Sequence, residues 1–249
     1  MKTPSRLSVN VNAVAVIRNR RDVPWPSVTH LSALALNAGA KGITIHPRPD
    51  ERHIRRTDVL DLSNMLTEDM QGKELCLEGY PDKRFMELLE EVRPTQVLFV
   101  PDDPSQQTSD HGWDFDENMD LLKEVIAQAK SLDIRTSLFV NPDPSQPTLA
   151  AEAGAERIEI YTGPYGACHA DKEAEKRELE KVVATAEAAK AAGLLVNAGH
   201  DLTVENLPAL IERVPYISEV SIGHGFTADA LIHGFTESVR RFRGALGEL

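Results

Sequence analysis

Short apolar runs recur eight times along this 249-residue chain, each followed by a longer amphipathic segment, and that cadence restricts the fold more than any other feature. The runs are Leu7–Asn12, Gly42–His46, Glu74–Glu78, Gln96–Pro101, Thr136–Asn141, Arg157–Tyr161, Leu194–Asn197 and Glu219–Ile222. Most are rich in Val, Ile and Leu, as strands buried on both faces are. Between them lie helical patterns at Val28–Ala38, Asp58–Leu66, Asp82–Val92, Asp116–Leu132, Thr148–Ala153, Asp171–Ala192, Thr203–Val214 and Ala228–Leu246. Gly39, Gly154 and Gly193 stand just past three of these, where a left-handed C-cap is expected, while Thr203 and Thr227 read as N-caps. Strictly alternating strands and helices imply a parallel sheet with crossover helices. The expectation is an α/β chain folded as one (β/α)8 TIM barrel domain over residues 1–249. A doubly wound open sheet comes second, because no glycine fingerprint follows the first strand.

Leu7–Ile17 could pass for the apolar part of a signal peptide, but Asn10 and Asn12 interrupt it and Arg18-Asn-Arg-Arg21 follows. It reads instead as a buried strand with a polar end. No apolar run approaches the ~18 residues that cross a membrane. Cys76 and Cys168 fit no pairing motif and read as reduced thiols, so the expected setting is the cytoplasm, with no membrane partner.

In a parallel barrel the active site forms where the strands end. The ends here are Asn10-Val-Asn12, His46-Pro-Arg48, Glu78, Pro101-Asp102-Asp103, Asn141, Glu159 with Tyr161 and Thr162, Asn197-Ala-Gly-His200, and Gly223-His224-Gly225. The strand interiors are read as poor in such residues. A lone strand-end histidine is more often structural than catalytic. His46, His200 and His224 converging with Glu78 and Glu159 at one mouth are another matter, since His and Glu are readily tuned to move protons near neutral pH.

Charge sharpens this. The chain carries 27 Lys and Arg against 39 Asp and Glu, a net −12, which argues against a nucleic-acid partner. Residues 1–56 nevertheless hold ten Lys and Arg against three Asp and Glu. Arg18, Arg20 and Arg21 follow the first strand, and Arg48, Arg52, His53, Arg55 and Arg56 the second. Gly223-His224-Gly225 opens a helix, whose free N–H groups and dipole favour an anion. Phosphorylated small molecules are therefore the expected ligands. No lysine ends a strand, which makes Schiff-base chemistry improbable, and there is no G-x-S-x-G or P-loop motif. By ligand type alone, a metal on His46, Glu78, Glu159 and His200 remains open.

These residues resemble the pyridoxine 5′-phosphate synthase family. The resemblance runs through Ser8-Val-Asn-Val-Asn12, Arg18-Asn-Arg-Arg21, the H-x-R-x-D-x-R-H of His46 to His53, Leu77-Glu78, Ile158-Glu-Ile-Tyr-Thr-Gly163, Val196-Asn-Ala-Gly-His200 and Ile222-Gly-His224. It implies a barrel with extra helices, a homo-octamer built from dimers, and no metal or organic cofactor. The implied reaction condenses 3-amino-2-oxopropyl phosphate with 1-deoxy-D-xylulose 5-phosphate to give pyridoxine 5′-phosphate, phosphate and water. By motif, His46 and Glu78 match the proton acceptors, His200 the proton donor and Glu159 the transition-state stabiliser. Asn10, Arg21, Gly223 and His224 match positions for the amino-ketone phosphate, and Arg48, His53 and Thr108 those for the deoxyxylulose phosphate. Two substrate-contact positions depart from the family pattern: Asn12-Ala13 stands where Asp-His is familiar, and Asp201 where Gly is frequent. A metal-dependent sugar-phosphate isomerase or epimerase, and a phosphometabolite-binding barrel without turnover, remain as alternatives.

Overall fold

The Val-, Ile- and Leu-rich runs form eight parallel strands that close in sequence order into one barrel, β1 through β8 with β8 against β1. The structure is a computed structural model and describes residues 5–102, 106 and 108–248; Asp103, one of the strand-end residues, lies outside these. The strands are β1 (Arg6–Asn10), β2 (Gly42–Ile45), β3 (Glu74–Gly79), β4 (Gln96–Phe99), β5 (Arg135–Val140), β6 (Arg157–Tyr161), β7 (Leu195–Gly199) and β8 (Ile217–Ile222). The helices are α1 (Asn12–Asn19), α2 (Val28–Asn37), α3 (Arg56–Glu68), α4 (Lys83–Val92), α5 (Phe115–Ser131), α6 (Gln146–Glu152), α7 (Gly163–Ala167), α8 (Lys172–Ala191), α9 (Leu207–Arg213), α10 (His224–His233) and α11 (Phe235–Ala245). Their apolar faces pack on the strands in a continuous apolar core. The expected TIM barrel, with helices beyond the basic eight, is what forms.

The departures from expectation have local causes. The first strand stops at Asn10, and the chain turns straight into α1. Asn10 Oδ1 accepts from the Asn12 amide at 2.9 Å, and Asn12 Oδ1 accepts from the His46 amide at 3.0 Å. These side chains thus satisfy amides that strand pairing leaves free at the barrel rim. Arg18 and Asn19 are consequently the last turn of a helix, not a loop. The final helix begins at His224, four residues before the expected Ala228, and breaks at Gly234, whose φ of +81° suits glycine. Gly223, not Thr227, is its N-cap. Gln146 and Leu207 begin helices that were expected at Thr148 and Thr203; in the second case Thr203 Oγ1 accepts from the Glu205 and Asn206 amides and caps a turn.

The strand interiors are also more polar than expected. At the N-terminal end of the barrel, Arg157 Nη1 donates to Asn197 Oδ1 at 3.2 Å, and Gln96 Nε2 donates to Glu219 Oε1 at 3.2 Å. Arg135 Nε donates to Gln96 Oε1 at 2.9 Å and also pairs with Glu74, which Arg6 meets at 2.8 Å. Arg157, Gln96, Asn197 and Glu219 are buried, so each needs the partners it has. Asn197, read from sequence as a strand-end group, belongs to this lower layer.

Candidate active site

Two residues further along the strands the inward side chains face a cavity of ≈ 350 Å³ at the C-terminal mouth. Twelve of the thirteen sequence-derived site residues line it: Asn10, Asn12, His46, Arg48, His53, Glu78, Thr108, Glu159, His200, Asp201, Gly223 and His224. Arg21 does not; it lies exposed beyond α1.

On the β2–β4 side the groups are buried and mutually paired. His46 Nδ1 lies 3.4 Å from Glu78 Oε1 and 4.0 Å from Asp102 Oδ2. Burial would push the Glu78 carboxyl up, but the neighbouring His46, His200 and the Ser109 hydroxyl, 3.0 Å away, together bring it down to about 2. Glu78 is therefore ionised across the physiological range. Arg48 Nη2 pairs with Asp102, and its Nη1 donates to the Gln106 carbonyl at 3.0 Å. His53 Nδ1 accepts from the Ile54 amide at 2.9 Å, which leaves the proton of the neutral ring on Nε2. Burial, reinforced by His46 and Arg48, lowers His53 to about 4, so that neutral ring is its form at pH 7.

Glu159 on β6 is the opposite case. Burial raises its carboxyl well above the usual range, and the charges of Glu78 and Glu219 add to this, so the surroundings favour its neutral form. Its place depends on Gly199, because a Cβ there would come within 2.2 Å of Glu159 Oε1. Two buried carboxyls facing one cavity are thus shifted in opposite directions, the usual arrangement for a base beside an acid.

The β7–β8 side is open. His200 and Asp201 have φ of +79° and +54°, left-handed values that cost non-glycine residues about 1–3 kcal/mol each. The Thr162 hydroxyl holds this turn, lying 2.5 Å from the Gly199 carbonyl and 2.7 Å from that of His200. Asn206 Nδ2 donates to the Asp201 carbonyl at 3.0 Å. The His200 ring leans on Phe139 and Tyr161, with centroids 5.2 and 5.4 Å away. Gly223 and His224 begin α10, and Gly225 lets that turn approach the Leu202 carbonyl, which a Cβ would meet at 2.3 Å. The N-terminus of α10 borders the cavity and offers amides to an anion.

The basic N-terminal quarter is mostly committed elsewhere. Arg18 is buried against Asp58 and donates to the His53 carbonyl at 3.2 Å, so it shapes the β2 loop and does not face a ligand. Arg52 pairs with Asp50 at 2.7 Å, and Arg56 with Glu91. Arg48 is the one arginine lining the cavity among the described residues. Sequence reading missed Ser109, a buried hydroxyl that lines the cavity and touches both Glu78 and Asp102. Among the described residues no three His, Cys, Asp or Glu side chains are placed to share a metal ion, and no helix is long and apolar enough to cross a membrane.

The sequence profile of the family described as "Pyridoxal phosphate biosynthesis protein PdxJ" matches residues 7–248. The chain belongs to that family. It is 54% identical over 247 residues, covering 98% of this chain and 99% of the relative, to the pyridoxine 5′-phosphate synthase of Rhizobium meliloti (strain 1021). The enzymes of that name from Allorhizobium ampelinum and Brucella anthropi are also 54% identical, over 248 and 243 residues, covering 99% and 98% of this chain and 99% of each relative. Among solved structures, a protein of Aquifex aeolicus VF5 has a TM-score of 0.64 at 18% identity, covering 98% of this chain and 93% of its own. Phosphoribosyl anthranilate isomerase of Thermotoga maritima has a TM-score of 0.62 at 12% identity, covering 98% of this chain and 100% of its own. Likeness at that distance speaks for the barrel alone.

Proposed function

We propose that this PdxJ-family chain is a pyridoxine 5′-phosphate synthase, condensing 3-amino-2-oxopropyl phosphate with 1-deoxy-D-xylulose 5-phosphate to pyridoxine 5′-phosphate, phosphate and water. The carrying observation is the split pair of carboxyls in one cavity, Glu78 held low and Glu159 pushed up, with His46 and His200 beside them. Ring closure by imine formation, dehydration and aldol addition needs protons taken from carbon and delivered to oxygen. Glu78 with His46 is the base pair of this scheme, His200 its acid, and protonated Glu159 a neutral donor to oxygen that becomes negative in the transition state.

The two phosphates have separate holders. Asn10, Gly223 and His224 at the start of α10 take the amino-ketone phosphate, and Arg48, His53 through its Nε2–H, and Thr108 take the deoxyxylulose phosphate. Holding both substrates in ≈ 350 Å³ supplies the entropic part of the catalysis. Asn12 serves the site through its bond to the His46 amide, and Asp201 through its backbone in the strained turn. Arg21, being exposed, has no part within this chain's own cavity. Side chains and backbone alone carry the proton transfers in this proposal, with no metal or organic cofactor.

The chain is proposed to act as one cytoplasmic domain in a homo-oligomer, an octamer by family resemblance. Exposed Leu231 and Ile232 on α10, at 77% each, and Trp25 at 65% support burial against a second copy. The test is direct: purified chain, both substrates, and detection of pyridoxine 5′-phosphate after exhaustive chelation. Product formation is expected. Binding without product would overturn the reading in favour of a binding barrel, and dependence on added zinc or manganese in favour of a metal-dependent isomerase.

A further inference from the structure

Asp102, just past β4, is a buried carboxylate beside the arginine that the proposed function gives to a phosphate. Its contacts crowd onto one oxygen. Oδ2 accepts from Arg48 Nη2, lies 2.8 Å from Ser109 Oγ and 4.0 Å from His46 Nδ1, while Oδ1 is buried with no partner among the described residues. An anion next to an anion-binding guanidinium costs ligand affinity, so its place there calls for a reason.

Ser109 supplies it. Its hydroxyl is within hydrogen-bond distance of Asp102 Oδ2 at 2.8 Å and of Glu78 Oε1 at 3.0 Å, yet it has one proton to give. Whichever carboxylate is the stronger acceptor holds that proton. We propose that Asp102 is a positioning residue that couples the anion site to the catalytic base: a phosphate on Arg48 draws the guanidinium from Asp102, Asp102 then takes the Ser109 hydrogen bond, and Glu78, losing it, becomes the stronger base. No covalent bond changes; a hydrogen bond moves from one carboxylate to the other. Glu78 is thereby held weak until the phosphorylated substrate is seated.

The groups facing this exchange come from every neighbouring element: His46, Arg48 and His53 after β2, Glu78 on β3, Asp102 and Ser109 after β4, Glu159 on β6 and His200 after β7. Burial raises Asp102 against the pull of His46, Ser109 and Arg48, and it would rise further as Arg48 departs, which is the direction the exchange requires.

The coupling rests on the proposed function, but one arm of its test does not. Calorimetric titration with inorganic phosphate is expected to show Asp102→Asn binding several-fold more tightly than wild type, since the near-isosteric amide removes charge and keeps the hydrogen bonds. Unchanged or weaker binding would overturn the proposal, whether or not the chain makes product. In turnover, Asp102→Asn should lower kcat about ten-fold without raising KM for the ketose phosphate. Ser109→Ala should leave phosphate affinity and kcat within about two-fold of wild type and move the acid limb of kcat/KM upward, because Glu78 in the free enzyme has lost its donor. Ser109→Thr should restore the limb. A Ser109→Ala enzyme with an unmoved acid limb would overturn the Ser109 link.

Discussion

Two polar layers sit one above the other in this barrel, and their side chains come from overlapping lists of residue types. The lower one, Arg157, Asn197, Glu219, Gln96, Arg135 and Glu74, is closed: its groups face one another and none lines the cavity. The upper one, His46, Glu78, Glu159 and His200, borders an open cavity of ≈ 350 Å³. Glu219 and Glu159 are both raised carboxyls, yet Glu219 accepts from Gln96 while Glu159 faces the cavity. Burial and a shifted pKa therefore do not mark a catalytic group. Access does.

The contrast fails if damage above costs stability or damage below costs chemistry. The largest effect is expected above: His46→Ala or Glu78→Gln should cut turnover by about 10³-fold, the scale of lost acid–base catalysis, while the melting temperature moves by only a few degrees. Below, Arg157→Met should cost about 3–5 kcal/mol in denaturant unfolding, because Glu219 and Asn197 lose a buried partner. Turnover at permissive temperature should stay within about three-fold of wild type.

A smaller effect concerns pH. His53 is held near 4 in the fold against 6.5 in the unfolded chain. Between those values the unfolded state binds the extra proton, so stability falls as pH drops through that window, by up to about 3 kcal/mol. Below about 4, Glu78 adds its own loss, since its depressed carboxyl contributes stability above its unfolded value of 4.5 that disappears toward about 2. Unfolding curves at pH 6.5 and 4.5 should show the His53 part shrinking in His53→Gln. The smallest effect joins the layers: Gly199→Ala should cost about 1–3 kcal/mol and part of the activity, because the new methyl displaces Glu159. Crystallographic or spectroscopic evidence of an unmoved Glu159 there would weaken the packing argument.

Much of this was legible in the chain. The cadence placed each of the eight strands to within a few residues, and strand ends pointed to His46, Glu78, Glu159 and His200. What misled was register. Asn197 and Gly199 share a strand face because side chains alternate, so the motif Asn197-Ala-Gly-His200 spans both layers: its Asn points into the lower network and its Gly clears space in the upper one. Arg157 and Glu159 repeat the pattern two residues apart. Nor does sequence reveal that Asp58 lies against Arg18, 40 residues away, or Asp102 against Arg48; the first pair turns part of an apparent basic patch into a loop support, while Arg48 keeps its place on the cavity wall. Ser109 carried no motif at all, and only its position between two carboxylates gives it meaning.

The most direct test is turnover and unfolding measured side by side on Glu78→Gln and Arg157→Met, with pyridoxine 5′-phosphate as the product followed. The expectation is an inactive but stable upper-layer variant and an active but weakened lower-layer one. A Glu78→Gln enzyme that still turns over, or an Arg157→Met enzyme that keeps its stability and loses its chemistry, would contradict it.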